Sequence, residues 1–219
     1  RINEDDTVLD AGASVGFFSI FAASRCKKVI AVEPGRESFT ALTQNRIMNQ
    51  ASNIITVNRA LWSGPGYVRM AGQGVLFRII PPSEETSTSQ DVPCSTIDQL
   101  LGELDCSVDA VKMDVEGAER DCADGSYLRS VREIVVETHG TTDYIRELLK
   151  RHGFSTMVVR FTYGRVVRNL LRHLPAFSEA EISTKFTATR SSIMAIVKRQ
   201  GIIPQQGNLD IEIVYGRKT

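Results

Sequence analysis

The chain has 219 residues, with 26 Lys and Arg against 26 Asp and Glu, 42% hydrophobic and 24% charged residues. That length is ample for one large domain with a real core, and the composition is that of a soluble globular protein, which excludes disordered, collagen-like and coiled-coil chains. No apolar run approaches the roughly 18–20 residues of a membrane span; the longest, Phe17 to Ala23, contains Ser19. No secretory signal is read at the start, and because the chain opens at Arg1 rather than Met, further residues are expected upstream. Cys26, Cys94, Cys106 and Cys122 lie far apart, with neither a C-x-x-C pair nor a clustered His. A zinc knuckle and a disulfide framework are therefore set aside in favour of a reducing cytoplasm. The zero net charge is an average: residues 1–143 carry 13 basic and 21 acidic side chains, residues 144–219 carry 13 and 5.

Short β-type segments alternate with helical ones from the start, the pattern of crossover units and a parallel sheet. Thr7–Asp10 is a buried strand running into the turn Ala11-Gly12-Ala13-Ser14-Val15-Gly16. A helix over Phe17–Ser24, a strand over Lys28–Glu33, a break at Pro34-Gly35, a helix over Glu37–Gln50 and a strand over Ile54–Leu61 follow. The middle differs. Gly64–Ile80 reads as a hairpin or meander with strands near Tyr67–Met70 and Val75–Ile80, and Pro81–Asp91 as a mobile polar surface loop. Alternation resumes with helix Ile97–Leu104, strand Ala110–Asp114, a short helix from Ala118, strand Glu133–Glu137, helix Thr142–Arg151 and strand Ser155–Arg160. A basic helix over Val166–Leu174 and strands over Ser192–Lys198 and Ile211–Tyr215 complete the reading. With no repeat and no linker, the expectation is one domain: a core over 7–160 with an insertion near 64–93, and basic closing elements over 161–219.

Three strand ends share one design, an apolar strand finishing in an acid before a turn: VLD at Asp10, VIAVE at Glu33 and AVKMD at Asp114. In a doubly wound sheet such ends face one crevice, where ligands bind. The first turn has Gly12 and Gly16 but not G-x-G-x-x-G; it still lets backbone approach a ligand and opens a helix. Glu33, 23 residues after Asp10, suits the two hydroxyls of a ribose. An acid directly before the turn argues against the pyrophosphate of NAD and for a ligand with cationic groups, such as the amino group and sulfonium of S-adenosylmethionine.

At these residues the sequence resembles the FkbM type of class I S-adenosylmethionine-dependent methyltransferases. The likeness runs through D10-A-G-A-S-V-G-F-F-S19, V-E33-P34, Asn45 and Asn49, N58-R-A-L61, S95-T-I-D98, K112-M-D114-V-E116-G-A-E119, E137-T-H139 and G153-F154, or about residues 7–160. The acidic run at 112–119 is the most specific part. Two departures stand out: C122-A-D124-G125-S replaces the family's usual apolar and Gly-Ala segment, which bears on local packing, and the usual upstream element is missing, leaving part of a substrate lid unaccounted for. The resemblance implies a Rossmann-like α/β fold with a seven-stranded, mostly parallel sheet, helices on both faces and an antiparallel last strand pair. It also implies methyl transfer, usually to a hydroxyl oxygen of a sugar, polyketide or other metabolite.

The enzyme must align acceptor oxygen, methyl carbon and sulfur, and remove the acceptor's proton. The resemblance assigns Gly12 with neighbouring backbone (Ala13, Gly16, Phe17) to the methionine end, Asp10 to its amino group, and Glu33 with Pro34 to the ribose. Ala60 and Leu61 are assigned to the adenine, with Asn58 or Arg59 nearby. Asp114, Glu116 and His139 are the candidate catalytic set, Asp114 also touching the cofactor. His139 is the candidate base, provided the chain bends at Thr138 so that it and Glu137 converge. Glu119 sits where a helix-capping acid would. His152 and His173 read as surface residues. A divalent metal on Asp114, Glu116 and His139 is a subsidiary reading. Arg165, Arg168 and Arg172 form one stripe of the basic helix, beside an apolar one of Val166, Leu170 and Leu174; this is a solvated face or a cationic lid for an anionic acceptor. An RNA methyltransferase and a non-catalytic nucleotide-binding module are the rival readings; neither an N-P-P-Y motif nor an RNA-binding module is recognisable.

Overall fold

The structure, a computed structural model, describes residues 2–72, 78–80, 84, 86–87, 89–161 and 211–218. The expected basic helix at Val166–Leu174 with its arginine stripe, and the strand at Ser192–Lys198, lie outside the described residues, as do His173 and much of Pro81–Asp91. Arg1–Val159 with Glu212–Thr219 is one compact unit and Arg160–Ile211 a second.

The first unit begins with β1 (Thr7–Ala11), α1 (Phe17–Ala23), β2 (Lys28–Val32), α2 (Arg36–Met48) and β3 (Ile54–Val57). Four short strands follow: β4 (Ala60–Leu61), β5 (Gly66–Ala71), β6 (Arg78–Ile79) and β7 (Gln90–Ser95). Then come α3 (Ile97–Glu103), β8 (Ala110–Met113), α4 (Glu119–Cys122), a 3-10 turn (Ser126–Arg129), β9 (Glu133–Thr138) and α5 (Thr142–Arg151). The last strands are β10 (Ser155–Phe161) and β11 (Ile211–Arg217). Seven strands form one sheet in the order β10-β11-β9-β8-β1-β2-β3. β3, β2, β1, β8 and β9 pair in parallel, and β11 runs antiparallel against β9.

The apolar strands are continuous because the sheet is buried on both faces. On one face Val8, Val29 and Ala31 pack with Ala22 of α1 and Leu42 of α2. On the other, Leu9, Ile30, Val111 and Val136 pack with Leu100 of α3 and Leu148 of α5. Each of the fully buried Val, Leu and Ile side chains contributes about 1.5–3 kcal/mol.

The expected strand Ile54–Leu61 is in fact two. The Nδ2 of Asn58 donates to the carbonyls of Glu33 (2.8 Å) and Pro34 (3.1 Å), turning the chain off the main sheet. Ala60 and Leu61 then join a second, four-stranded sheet ordered β4-β7-β5-β6. The expected meander is present in part, as β5 and β6 pair at Met70–Ile79, but the end of the expected loop, Gln90 and Asp91, is strand β7. Pro93 disguises that strand, since proline lacks the N–H a central ladder needs. Here the ladder to β4 begins only at Cys94, one residue later.

Several residues of the resemblance hold this frame together. The Nδ2 of Asn45 donates to the Val15 carbonyl (2.9 Å), bracing the first turn against α2. Thr96 caps α3 by accepting the Gln99 N–H at 3.0 Å. The Asp98 carboxylate accepts from the N–H and hydroxyl of Ser126 and the N–H of Tyr127. The departure at 122–126 fits that packing: Cys122 and Ala123 are core residues, and a Cβ on Gly125 would sit 2.7 Å from an Asp98 oxygen.

Gly12 is the tightest point of the frame. Its φ is +77°, and a Cβ there would lie 1.7 Å from the carbonyl oxygen of Asp114. Gly12→Ala combines a left-handed penalty of about 1–2 kcal/mol with overpacking of about 1–3 kcal/mol. Thermal unfolding should therefore show a Tm lowered by several degrees; a wild-type Tm in this variant would contradict the close approach.

Candidate functional site

The ends of β1, β2 and β8 are bound together by backbone hydrogen bonds. The N–H groups of Gly12 and Ala13 both donate to the Val32 carbonyl (3.0 and 2.9 Å), and the Asp114 N–H donates to Ala11 (2.9 Å). A cavity of about 260 Å³ opens over this junction.

Glu33 forms one wall. It is only 7% exposed, and its two oxygens accept one N–H each, from Ser14 and Gly35, both at 2.8 Å. A carboxylate oxygen has a second lone pair, so both remain able to accept from a ligand. Burial pushes this carboxyl above its ordinary value, against the pull of the two amides. Pro34 lines the cavity beside it, while Asn58 fixes both residues through their carbonyls without lining it. The opposite wall is apolar. Ala60 and Leu61 are joined there by Met70 and Ile79 of the second sheet, with Arg59 at the margin. Arg59 is held by Glu103 at 2.7 Å and Ser95 at 3.3 Å.

Of the residues assigned to the methionine end, Gly12 lines the cavity. Asp10 is fully buried beneath it, accepting from the Ser19 hydroxyl at 2.5 Å and pairing with Lys112 at 3.3 Å. Burial pushes the Asp10 carboxyl up, opposed chiefly by Lys112. Ala13 is a core residue, Gly16 is where α1 meets Leu42 of α2, and Phe17 stands 81% exposed.

Lys112 is the residue whose part the motif reading missed. Its Nζ donates to the Gly12 carbonyl at 2.7 Å and lies 3.8 Å from Asp114, so one ammonium ties the first turn to two acids. The strand period held the signal, because side chains two apart share a face and Lys112 lies opposite Asp10 in register.

Asp114 lines the cavity, and its Oδ1 is buried without a hydrogen-bond partner among the described residues. Glu116 lines it too, from a turn where its own φ is +51°. β9 ends at Thr138, and the bend brings His139 to these acids. Its Nδ1 lies 2.9 Å from Glu119 and its Nε2 3.5 Å from Glu116. The bond to Glu119 raises the imidazole to about 9, with the charges of Glu119, Glu116 and Asp114 adding to it against desolvation. Burial alone would raise Glu119, but bonds from His139, the Gly117 N–H and Thr141 outweigh it and leave that carboxyl below its ordinary value. Glu137 is half-buried nearby, pushed up first by desolvation and then by Asp114. Ligand atoms of Asp114, Glu116 and His139 lie within 4.8 Å of one another, a donor set that suits a divalent cation. Beside them Lys112 already supplies a fixed positive charge to Asp114. His152 is apart from all of this, paired with Asp124 at 3.0 Å.

The profile of the Methyltransferase FkbM domain matches residues 10–156. Among curated proteins, the AMB antimetabolite synthetase AmbE of Pseudomonas aeruginosa is 27% identical over 206 aligned residues, covering 70% of this chain. The chain spans only 10% of that relative's length. Among solved structures, a precorrin-6y C5,15-methyltransferase from Geobacter metallireducens has a TM-score of 0.54 at 15% identity, covering 100% of this chain and 83% of its own. A methyltransferase FkbM from Methylobacillus flagellatus has a TM-score of 0.53 at 17% identity, covering 72% of this chain and 40% of its own. At those identities the two structures share the fold.

The ion pair between Glu119 and His139 sets a pH dependence. A histidine raised from 6.5 to about 9 on folding adds stability in full below pH 6.5 and loses it as the pH climbs to about 9. Glu119, lowered on folding, adds stability above 4.5 and loses it only as the pH falls through its lower folded value. Urea midpoints should therefore decline between pH 6.5 and 9, and His139→Ala should flatten that decline. An unchanged slope in the variant would show that His139 does not titrate in this range.

Proposed function

The chain belongs to the Methyltransferase FkbM family, and on that premise we propose that its acceptor is a hydroxyl of a sugar, a glycan or another small metabolite, deprotonated by His139. As a family member it is an S-adenosylmethionine-dependent methyltransferase. The observation that carries the proposal is that Asp114 and Glu116 line the same cavity as Glu33 and Gly12, and that His139, which does not itself line it, clusters with those two acids.

Bound there, S-adenosylmethionine supplies a methyl group already activated by its sulfonium. Glu33 accepts the ribose hydroxyls on the lone pairs its two amides leave free. Ala60 and Leu61, with Met70 and Ile79, exclude water from the adenine, and Asn58 holds Glu33 and Pro34 in place. Gly12, its carbonyl anchored by Lys112 above Asp10, brings backbone to the methionine end. Asp114 and Glu116 place negative charge beside the sulfonium and orient the acceptor. His139 takes the acceptor's proton at Nε2, while Nδ1 stays bonded to Glu119. Lys112 and the imidazole offset part of the acidic charge, and the negative charge that remains favours the sulfonium. The similarity to a stretch of a much longer antimetabolite synthetase supports a small-molecule acceptor. The surplus of basic residues over 144–219 supports an anionic one. That surplus also favours the second reading, RNA, whose binding would weaken steeply with salt. No helix among the described residues is long and apolar enough to cross a membrane, and four free cysteines fit the reducing cytoplasm as the compartment.

Calorimetry tests the cofactor side. Glu33→Ala should weaken S-adenosylmethionine binding by about 10–100-fold, the worth of hydrogen bonds to a charged group; unchanged affinity would remove the ribose assignment. On the acceptor side, His139→Ala should retain cofactor binding while transfer of tritiated methyl to extract metabolites falls about 10²–10⁴-fold; Asp114→Asn should lower transfer as well. In wild type the rate should climb about tenfold per pH unit until His139 loses its proton near 9. Full turnover in His139→Ala, or a flat profile from pH 6 to 9, would overturn the base assignment. Exhaustive chelation should leave turnover unchanged, and loss that a divalent cation restores would assign Asp114, Glu116 and His139 to a metal instead.

A further inference from the structure

We propose that Glu119 is a positioning residue for methyl transfer, locking the His139 ring so that Nδ1 carries the ring proton and Nε2 is held toward Glu116, which lines the cavity. This rests on His139 being the base.

A capping acid at the start of a helix would be expected on the surface, serving the amides of its own first turn. Glu119 opens a helix of four residues, but its exposure is 0%, and two of its three partners come from across the fold. Oε1 accepts from the Gly117 N–H and from His139 Nδ1, both at 2.9 Å, and Oε2 accepts from the Thr141 hydroxyl at 2.9 Å. Burying a carboxylate costs several kcal/mol unless it is bonded, and a cap needs no burial. What this arrangement secures is the geometry of one imidazole. The turn Glu116-Gly117-Ala118 grips one side of the carboxylate, and the chain after β9 supplies both the ring and a second grip at Thr141. With Glu119 accepting at Nδ1, the neutral ring is left with its lone pair on Nε2, the nitrogen toward Glu116. Without it the ring is free to turn, and it takes the Nε2–H tautomer that free histidine favours, which cannot accept a proton at that atom.

The balance of the step is simple. As the bond from acceptor oxygen to methyl carbon forms and the carbon–sulfur bond breaks, the hydroxyl proton passes to Nε2. The ring becomes an imidazolium and later releases that proton to solvent. Glu119 stays ionised throughout and stabilises the cation. Among the described residues, the charged groups around the ring are Glu119 at Nδ1, Glu116 at Nε2, and Asp114, Glu137 and Lys112 nearby.

The test compares wild type with Glu119→Met, which keeps side-chain length but removes the acceptor. In nitrogen-15 spectra above pH 9, the His139 proton should sit on Nδ1 in wild type and move mainly to Nε2 in the variant. Calorimetric affinity for S-adenosylmethionine should be unchanged. Tritium transfer to the small-metabolite fraction of a cell extract should fall about 10–100-fold. In a His139→Ala background the same substitution should have no further effect, which a merely structural role would not predict. If Glu119→Met fails to fold, Thr141→Val removes one grip, and it should give a smaller tautomer shift with a severalfold loss. Wild-type spectra in the folded variant, or an undiminished rate while His139→Ala is inactive, would overturn the role of Glu119 and leave the base assignment standing. Full activity of His139→Ala would overturn the base assignment, and with it the catalytic role of Glu119.

Discussion

The backbone contact between Gly12 and Asp114 is the constraint on which the site depends. β1 and β8 approach until no side chain fits between the first turn and the carbonyl of Asp114. That is the point at which strand order reverses, with β2 and β3 on one side of β1 and β8 and β9 on the other. Because Gly12 and Ala13 also share the Val32 carbonyl, all three acid-ended strands are drawn to one spot. Glu33 and Asp114 come to line the same cavity even though 80 positions of chain separate them.

So many carboxylates in one place need compensation, and the fold supplies part of it through side chains in direct contact with them. Among the described residues, Lys112 and His139 are the cations paired with Asp10, Asp114, Glu116 and Glu119, and Glu137 stands nearby. Lys112 neutralises from the sheet side, between Asp10 and Asp114. His139 neutralises from the loop side, between Glu116 and Glu119. A histidine held this way stays protonated to higher pH than an ordinary imidazole, which extends the pH dependence of the proposed chemistry toward 9. It also gives the cationic group of a methyl donor a negative neighbourhood, the feature that separated this turn from a pyrophosphate site.

The residues of the FkbM resemblance divide by what they touch. Glu33, Ala60, Leu61, Asp114 and Glu116 line the cavity. Asn45, Asn58 and Asp98 do not; Asn45 and Asn58 fasten the segments that Gly12 and Glu33 stand on, and Asp98 fastens the turn at Ser126 and Tyr127, each through side-chain bonds to main chain of another segment. Glu119 belongs to neither group, being fully buried and bonded to His139, which in turn contacts the lining residue Glu116. The second sheet has its own place in this division, because Met70 and Ile79 close an apolar wall that β4 alone, two residues long, would leave open.

The parallel core was legible in the sequence because its cause is local. Strands buried on both faces must be apolar throughout, and a ligand at their carboxyl ends puts an acid and a glycine or proline directly after them. Thr7–Asp10, Lys28–Glu33 and Ala110–Asp114 each carry that record within a few residues. The rest was decided by contacts between distant segments. Whether Ile54–Leu61 ran as one strand depended on Asn58 reaching the carbonyls of Glu33 and Pro34. Whether Gln90–Ser95 was loop or strand depended on β5 pairing with it across a proline. Lys112 gained its place from the register of β8 against β1, and His139 met Glu119 only because β9 stops at Thr138. Sequence alone determined which strands end in chemistry; tertiary structure decided which of those ends share a proton, since hydrogen bonds act over about 3 Å while the motifs that make them lie 20 to 100 residues apart.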